Sequence, residues 1–212
     1  MARALILRVA EVGVEEARRH FVAALTAGRL VIFPTDTVYG IGARADDEAA
    51  VARLFEVKQR PADRPLPVLL DSWAELPHVV GDWPPAAQRL AHAFWPGPLT
   101  VVTRRHPRLA PAVVSGGDTV GVRMPDHRGL REWLAACDFP VAATSANLSA
   151  GLSPRELQAV PLALVESAAL VLDDGPCPGG KASTVVEVTV DPVVIRRPGP
   201  ITEAQIRQVL EQ

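Results

Sequence analysis

The chain has 212 residues, 48% of them hydrophobic, with a formal net charge of −2. That is enough for one large domain or two small ones, and it lacks the basic footprint that nucleic-acid binders often carry. No run of about 18 apolar residues suggests a membrane span. Cys137 and Cys177 have no CxxC spacing, which argues against a zinc site or a disulfide framework.

The N-terminus, MARALILRVAEVGVEEARRH, turns charged too soon for a secretory signal, so a reduced, cytoplasmic protein is expected. Val14 to Gly28 has helical periodicity and a glycine stop, and Leu30 to Phe33 reads as a buried strand. Asp46 to Gln59 is a predicted helix with acidic residues at its start, which puts Lys58 and Arg60 at its C-terminal end. PLPVLL follows as a strand, and Pro84 to Trp95 as a helix with proline in its first turn. WPGP makes a rigid turn with a packed Trp95, before the strand LTVVTRR. Thr119 to Pro125 is a strand, HRGLREWLAAC a helix and FPVAATS a strand. A helix is expected to begin at Pro154. ALVLDD, STVVEVTV and PVVIRR complete the strands, and ITEAQIRQVLEQ closes with a helix capped by Thr202. The interleaving predicts a single α/β or α+β domain over residues 1–212 with a twisted, mixed sheet.

Three polar segments interrupt this pattern. PTDTVYGIG places Thr35, Asp36 and Thr37 at a strand end, with Gly40 and Gly42 allowing close approach. KQRPADRPL offers Lys58, Arg60 and Arg64, the charge a triphosphate would need. TSANLSAGLS offers Ser145, Asn147, Ser149 and Ser153. Each has a plain structural alternative: a turn bonding its own backbone, cations offsetting a helix dipole, or a capping segment. As cleft-facing cations, Lys58 and Arg60 are expected to add little to stability. GPCPGGKAS nearly spells a phosphate loop, GxxxxGK[ST]. Ala182 stands where the hydroxyl should be, and a strand follows where a helix is needed, so a P-loop is rejected. The five histidines show no metal-ligand spacing, and no Ser-His-Asp constellation is apparent.

PTDTVYGIG, KQRPADRPL, WPGPLT, VGVRMPDH, PVAATSANLSAGLSP, STVVEV and IRRPG, in this order, resemble the YrdC-like family, the threonylcarbamoyl-AMP synthases. The resemblance runs from Pro34 to Gly199 and implies an open α/β domain whose twisted sheet surrounds a large concave basic cavity. It implies condensation of L-threonine, bicarbonate or CO2 and ATP to threonylcarbamoyl-AMP and pyrophosphate. A separate transferase complex would then modify tRNA. The chain resembles the short, single-domain type.

By the same resemblance, Lys58, Arg60, Ser145 and Asn147 are the catalytic set and contact ATP with Arg64, Thr119, Ser153 and Arg197. Threonine contacts are implied at Thr37, Arg123, Ser183 and the backbone near Ala143. Magnesium is expected on the nucleotide rather than on a protein cage, and direct tRNA binding is expected to be weak. Arg64, Leu69 and Ala182 stand where the family often has asparagine, histidine and glutamate. An RNA-binding module and a carbamoyl-transfer relative are the alternatives. The first would show a steep salt dependence, and the second usually sits in a much larger chain.

Overall fold

The computed structural model describes residues 4–149 and 151–211. Ala150, within TSANLSAGLS, and Gln212, at the end of the last predicted helix, lie outside them, as do residues 1–3 of the N-terminal segment. In chain order the elements are β1 (Leu5–Arg8), α1 (Val9–Val12), α2 (Val14–Thr26), β2 (Val31–Phe33), β3 (Gly40–Arg44), α3 (Glu48–Val57), β4 (Val68–Leu69) and α4 (Leu76–Val79). There follow α5 (Pro85–Phe94), β5 (Leu99–Arg104), β6 (Thr119–Arg123), α6 (Arg128–Ala135) and β7 (Val141–Ser145). The last are α7 (Leu162–Ser167), β8 (Leu170–Asp173), β9 (Thr184–Glu187), β10 (Val194–Arg197) and α8 (Glu203–Leu210).

The strands form one mixed sheet in the order β1-β8-β2-β3-β7-β4-β6-β5-β9-β10. Its two faces bury different residues because side chains alternate along a strand. Val31 and Phe33 point to one face, with Val141, Ala143, Leu170 and Leu172. Ile32, Ala142 and Val171 point to the other. On the first face, α2 presents Ala17, Phe21 and Leu25, spaced four apart, and α6 presents Leu130, Trp133 and Leu134. Phe21 meets the Phe33 ring edge-on at 5.7 Å and Trp133 at 5.9 Å. Burying a side chain such as Phe21 stabilises the fold by roughly 1.5–3 kcal/mol. On the second face, α3, α5 and α8 supply Val51, Leu54, Leu90 and Ile206 to the larger core. The expected caps are present: Asp47 accepts from Ala50 N at 3.0 Å, and Thr202 forms a capping box with Gln205.

Two local expectations are corrected. PLPVLL pairs as a strand only at Val68–Leu69, since Pro65 and Pro67 lack the N–H a ladder needs. No helix begins at Pro154. The carbonyls of Pro154 and Arg155 instead accept from Tyr39 N and Cys177 N, both at 2.8 Å, which ties this backbone to distant segments. The WPGP turn is as expected: Trp95 is buried and donates from Nε1 to Leu99 O at 2.7 Å. Among the described residues no helix is long and apolar enough to cross a membrane.

Candidate active site

On the face that carries α2 and α6, the strand residues next in line are small or polar. Gly40 pairs with Ser145 and Gly42 with Ala143 across β3 and β7. A Cβ on Gly42 would lie 3.0 Å from the Phe33 ring, so these glycines let that ring lie flat against the sheet. Beyond them the face opens into a cavity of ≈130 Å³. This is below the roughly 300–1,000 Å³ usual for drug-sized ligands and suits a small molecule. The cavity is apolar on one side, with Phe33, Val38, Pro67, Leu69 and Ala143. Its polar lining comes from Thr35, Thr37, Thr100, Thr144, Ser145 and Ser183, with Arg60, Arg123 and Arg197.

Two hydroxyl pairs, each joined to an arginine, line the cavity. Thr35 Oγ1 donates to Val38 O at 2.8 Å and lies 2.9 Å from Thr37 Oγ1. Thr37 Oγ1 in turn accepts from Arg123 Nη1 at 3.0 Å. In the second pair Thr100 Oγ1 lies 2.8 Å from Ser183 Oγ, which accepts from Arg197 Nη2 at 3.1 Å. Arg197 also donates to Ser183 O from Nε and Nη2, at 3.1 and 2.8 Å. Arg123 is fixed by Gly97 O at 3.0 Å and by an ion pair with Asp36 at 2.5 Å. Three of its five N–H groups are thereby engaged, and one remains on each terminal nitrogen.

The two polar stretches far apart in sequence meet here. Lys58 Nζ donates to Asn147 O at 2.7 Å and to Ser145 O over a shorter contact. Ser149 donates back to Lys58 O from both its N–H and its hydroxyl at 3.2 Å. Asn147 holds its own loop by donating to Leu148 O and Gly151 O, and it accepts from the Ser145 hydroxyl. The expectation of an exposed Lys58 is therefore wrong. It is only 2% exposed, because its ammonium bridges two backbone carbonyls instead of reaching into solvent. Arg60 lies at the cavity wall, held by Arg64 O and Pro65 O, both at 2.8 Å.

The cations repel one another. Burial, and then the charge of Arg60, pushes the Lys58 ammonium down to about 7. Burial, then Arg64 and Arg197, brings Arg60 down to about 10, and burial followed by Arg123 lowers Arg197. Among the described residues, Arg123 with Asp36 is the ion pair at the cavity. A bound polyanion would relieve this stress.

Of the residues singled out in the sequence, Thr37, Arg60, Arg123, Ala143, Ser145, Ser183 and Arg197 line the cavity together. Lys58 and Asn147 sit directly behind Ser145. Arg64 is exposed on the turn that begins at Pro61, Thr119 lies at the far end of β6, and Ser153 is half-buried in the loop after Asn147, so the cavity lining includes none of the three. Thr100 was missed. It is a buried hydroxyl inside an apolar strand, and that was the only signal it gave.

The phosphate-loop look-alike has a structural role. Gly179 N and Gly180 N donate to Asp36 O and Thr37 O at 2.9 and 2.7 Å. A Cβ on Gly179 would lie 2.7 Å from Asp36 O. These glycines let the segment dock against the Thr35–Val38 turn, and β9 follows as expected, without a helix.

The family model Sua5_yciO_yrdC, described as "Telomere recombination", matches residues 23–199. The threonylcarbamoyl-AMP synthase of Pyrococcus abyssi is 42% identical over 184 residues, covering 86% of this chain and 54% of that protein. The Bacillus subtilis threonylcarbamoyl-AMP synthase is 40% identical over 189 residues, covering 89% of this chain and 55% of that one. The chain thus spans about half the length of these two relatives. The crystal structure of P. abyssi Sua5 complexed with L-threonine superposes with a TM-score of 0.92 at 37% identity, covering 98% of this chain and 61% of that one.

Proposed function

Because this chain belongs to the Sua5–YciO–YrdC family, we propose that it is a nucleotidyltransferase that joins L-threonine, bicarbonate or CO2 and ATP into threonylcarbamoyl-AMP, releasing pyrophosphate. The observation that carries this reading is a cavity of amino-acid size, lined by hydroxyls and guanidinium groups, set against cations that repel one another.

The threonine amine captures CO2, forming an N–C bond and releasing a proton. A carbamate oxygen then attacks the α-phosphorus, and the bond to pyrophosphate breaks. The substrate supplies the nucleophile, so the protein's task is alignment and charge compensation. The two remaining N–H groups of Arg123 take the threonine carboxylate, and Thr37 and Ser183 take its hydroxyl beside the Ala143 backbone. Arg60 and Arg197 face the phosphates. Lys58 shapes the Ser145–Asn147 loop with two of its N–H groups and adds its charge from behind the cavity wall. The nucleotide extends out of the cavity toward Arg64, Thr119 and Ser153.

Asp36, the carboxylate beside the cavity, is taken up by Arg123, so Mg2+ would be held by the triphosphate. The product would pass to a separate transferase that modifies tRNA, with little direct tRNA contact by this chain, in the cytoplasm.

Pyrophosphate release by the purified protein is expected to require both L-threonine and bicarbonate. Release that is unchanged when threonine is omitted would contradict the reading.

A further inference from the structure

We propose that Thr100 is a specificity-determining positioning residue for the amino-acid substrate, acting through the hydroxyl of Ser183; this rests on the reading of the cavity as a threonine pocket. Thr35 Oγ1 gives its one proton to Val38 O and accepts from the N–H groups of Thr37 and Val38 at 3.0 and 3.2 Å, which fills its lone pairs and leaves the Thr37 proton to the cavity. Arg123 fills one lone pair of Thr37. What Thr37 shows a ligand is therefore its proton and its second lone pair. The second hydroxyl pair adds a further donor. Ser183 Oγ accepts from Arg197 and shares a single proton with Thr100, so one of these two hydroxyls keeps a proton free for the cavity. A ligand hydroxyl can thus give its proton to Thr37 and accept one from the Ser183–Thr100 pair, which satisfies it in both its roles.

The orientation of Thr100 is built in. Gly121, which pairs with Val102 across β5 and β6, is its diagonal neighbour, and a Cβ there would stand 3.0 Å from Thr100 Cγ2. The missing side chain leaves room for the methyl group there and turns Oγ1 toward Ser183. Thr100 is only 2% exposed, so its hydroxyl has Ser183 and the cavity to bond and little water to replace them.

Thr100→Val preserves β-branching and volume while removing the hydroxyl, and Thr100→Ser retains the hydroxyl. In steady-state pyrophosphate release, Thr100→Val is expected to raise the KM for L-threonine about tenfold. The KM for ATP should stay unchanged, and the preference for L-threonine over L-valine should shrink by a similar factor. Thr100→Ser should recover most of the lost affinity. Calorimetric titration with L-threonine alone should show the same order, and circular dichroism should confirm that the variants are folded. A folded Thr100→Val with parental KM and parental discrimination would overturn the proposal while leaving the proposed function intact. A parent protein that neither binds nor turns over L-threonine would sink both. If neither variant folds, a Ser183→Ala variant with parental threonine affinity would equally refute the relay.

Discussion

The chain's two lysines stand in segments that look alike as letters and behave oppositely in the fold. Lys58 is buried, bridges the carbonyls of Ser145 and Asn147, and sits behind a cavity wall. Lys181 is exposed on the loop whose Gly-rich spelling imitates a phosphate cradle. The difference lies in where the backbone N–H groups point. In a working cradle they converge on the anion. Here those of Gly175, Cys177, Gly179 and Gly180 are engaged by Asp173, Arg155, Asp36 and Thr37. Four of the loop's N–H groups are thus turned toward the protein itself rather than toward an anion beside Lys181.

The largest expected effect separates the two lysines. Lys58→Ala should reduce pyrophosphate release by about 100-fold or more. It should also lower the unfolding midpoint by about 4–8 °C, because two buried carbonyls lose their donor. Lys181→Ala should change neither quantity measurably. Equal effects in scanning calorimetry and turnover would erase the contrast.

Gly179→Ala comes next. Its Cβ would press on Asp36 O and disturb the Asp36–Arg123 pair. The KM for threonine should rise several-fold while ATP affinity holds. Weakened ATP binding with intact threonine binding would restore the phosphate-loop reading.

The smallest effect is a pH dependence. With Lys58 lowered to about 7 in the folded state, the unfolded chain binds more protons between about pH 7 and its ordinary lysine value. Lys58 should therefore make stability rise with pH across that window and contribute no slope below about 7. Triphosphate oxygens favour the charged amine, so ATP binding should take up a proton near pH 8 in the parent. Titration in buffers of different ionisation enthalpy measures this. Lys58→Met should abolish the uptake, and Lys181→Met should not.

Much of the fold was legible because the periodic signals were local. The stripe of Ala17, Phe21 and Leu25 and the caps at Asp47 and Thr202 each lie within one element. The misreadings came from tertiary bonds. Nothing near Pro154 announces that its carbonyl will be taken by Tyr39, so a proline after a turn looked like a helix start. The site was half legible. The segments around Lys58 and Ser145 were recognisable as polar, and they do meet. The burial of Lys58 was not foreseeable, since it depends on two carbonyls nearly ninety positions away. Asp36 could be placed at a strand end, but its partner Arg123 belongs to another strand. Thr100 is a single hydroxyl whose meaning depends on Ser183, 83 positions away and just before β9.

The most direct test is to incubate the purified protein with ATP, L-threonine and 13C-bicarbonate and examine the nucleotides by mass spectrometry. The expected result is an adenylate that carries both threonine and the labelled carbon, formed in step with pyrophosphate and missing when either co-substrate is withheld. ATP cleavage that continues without threonine, or an adenylate without the label, would contradict the account.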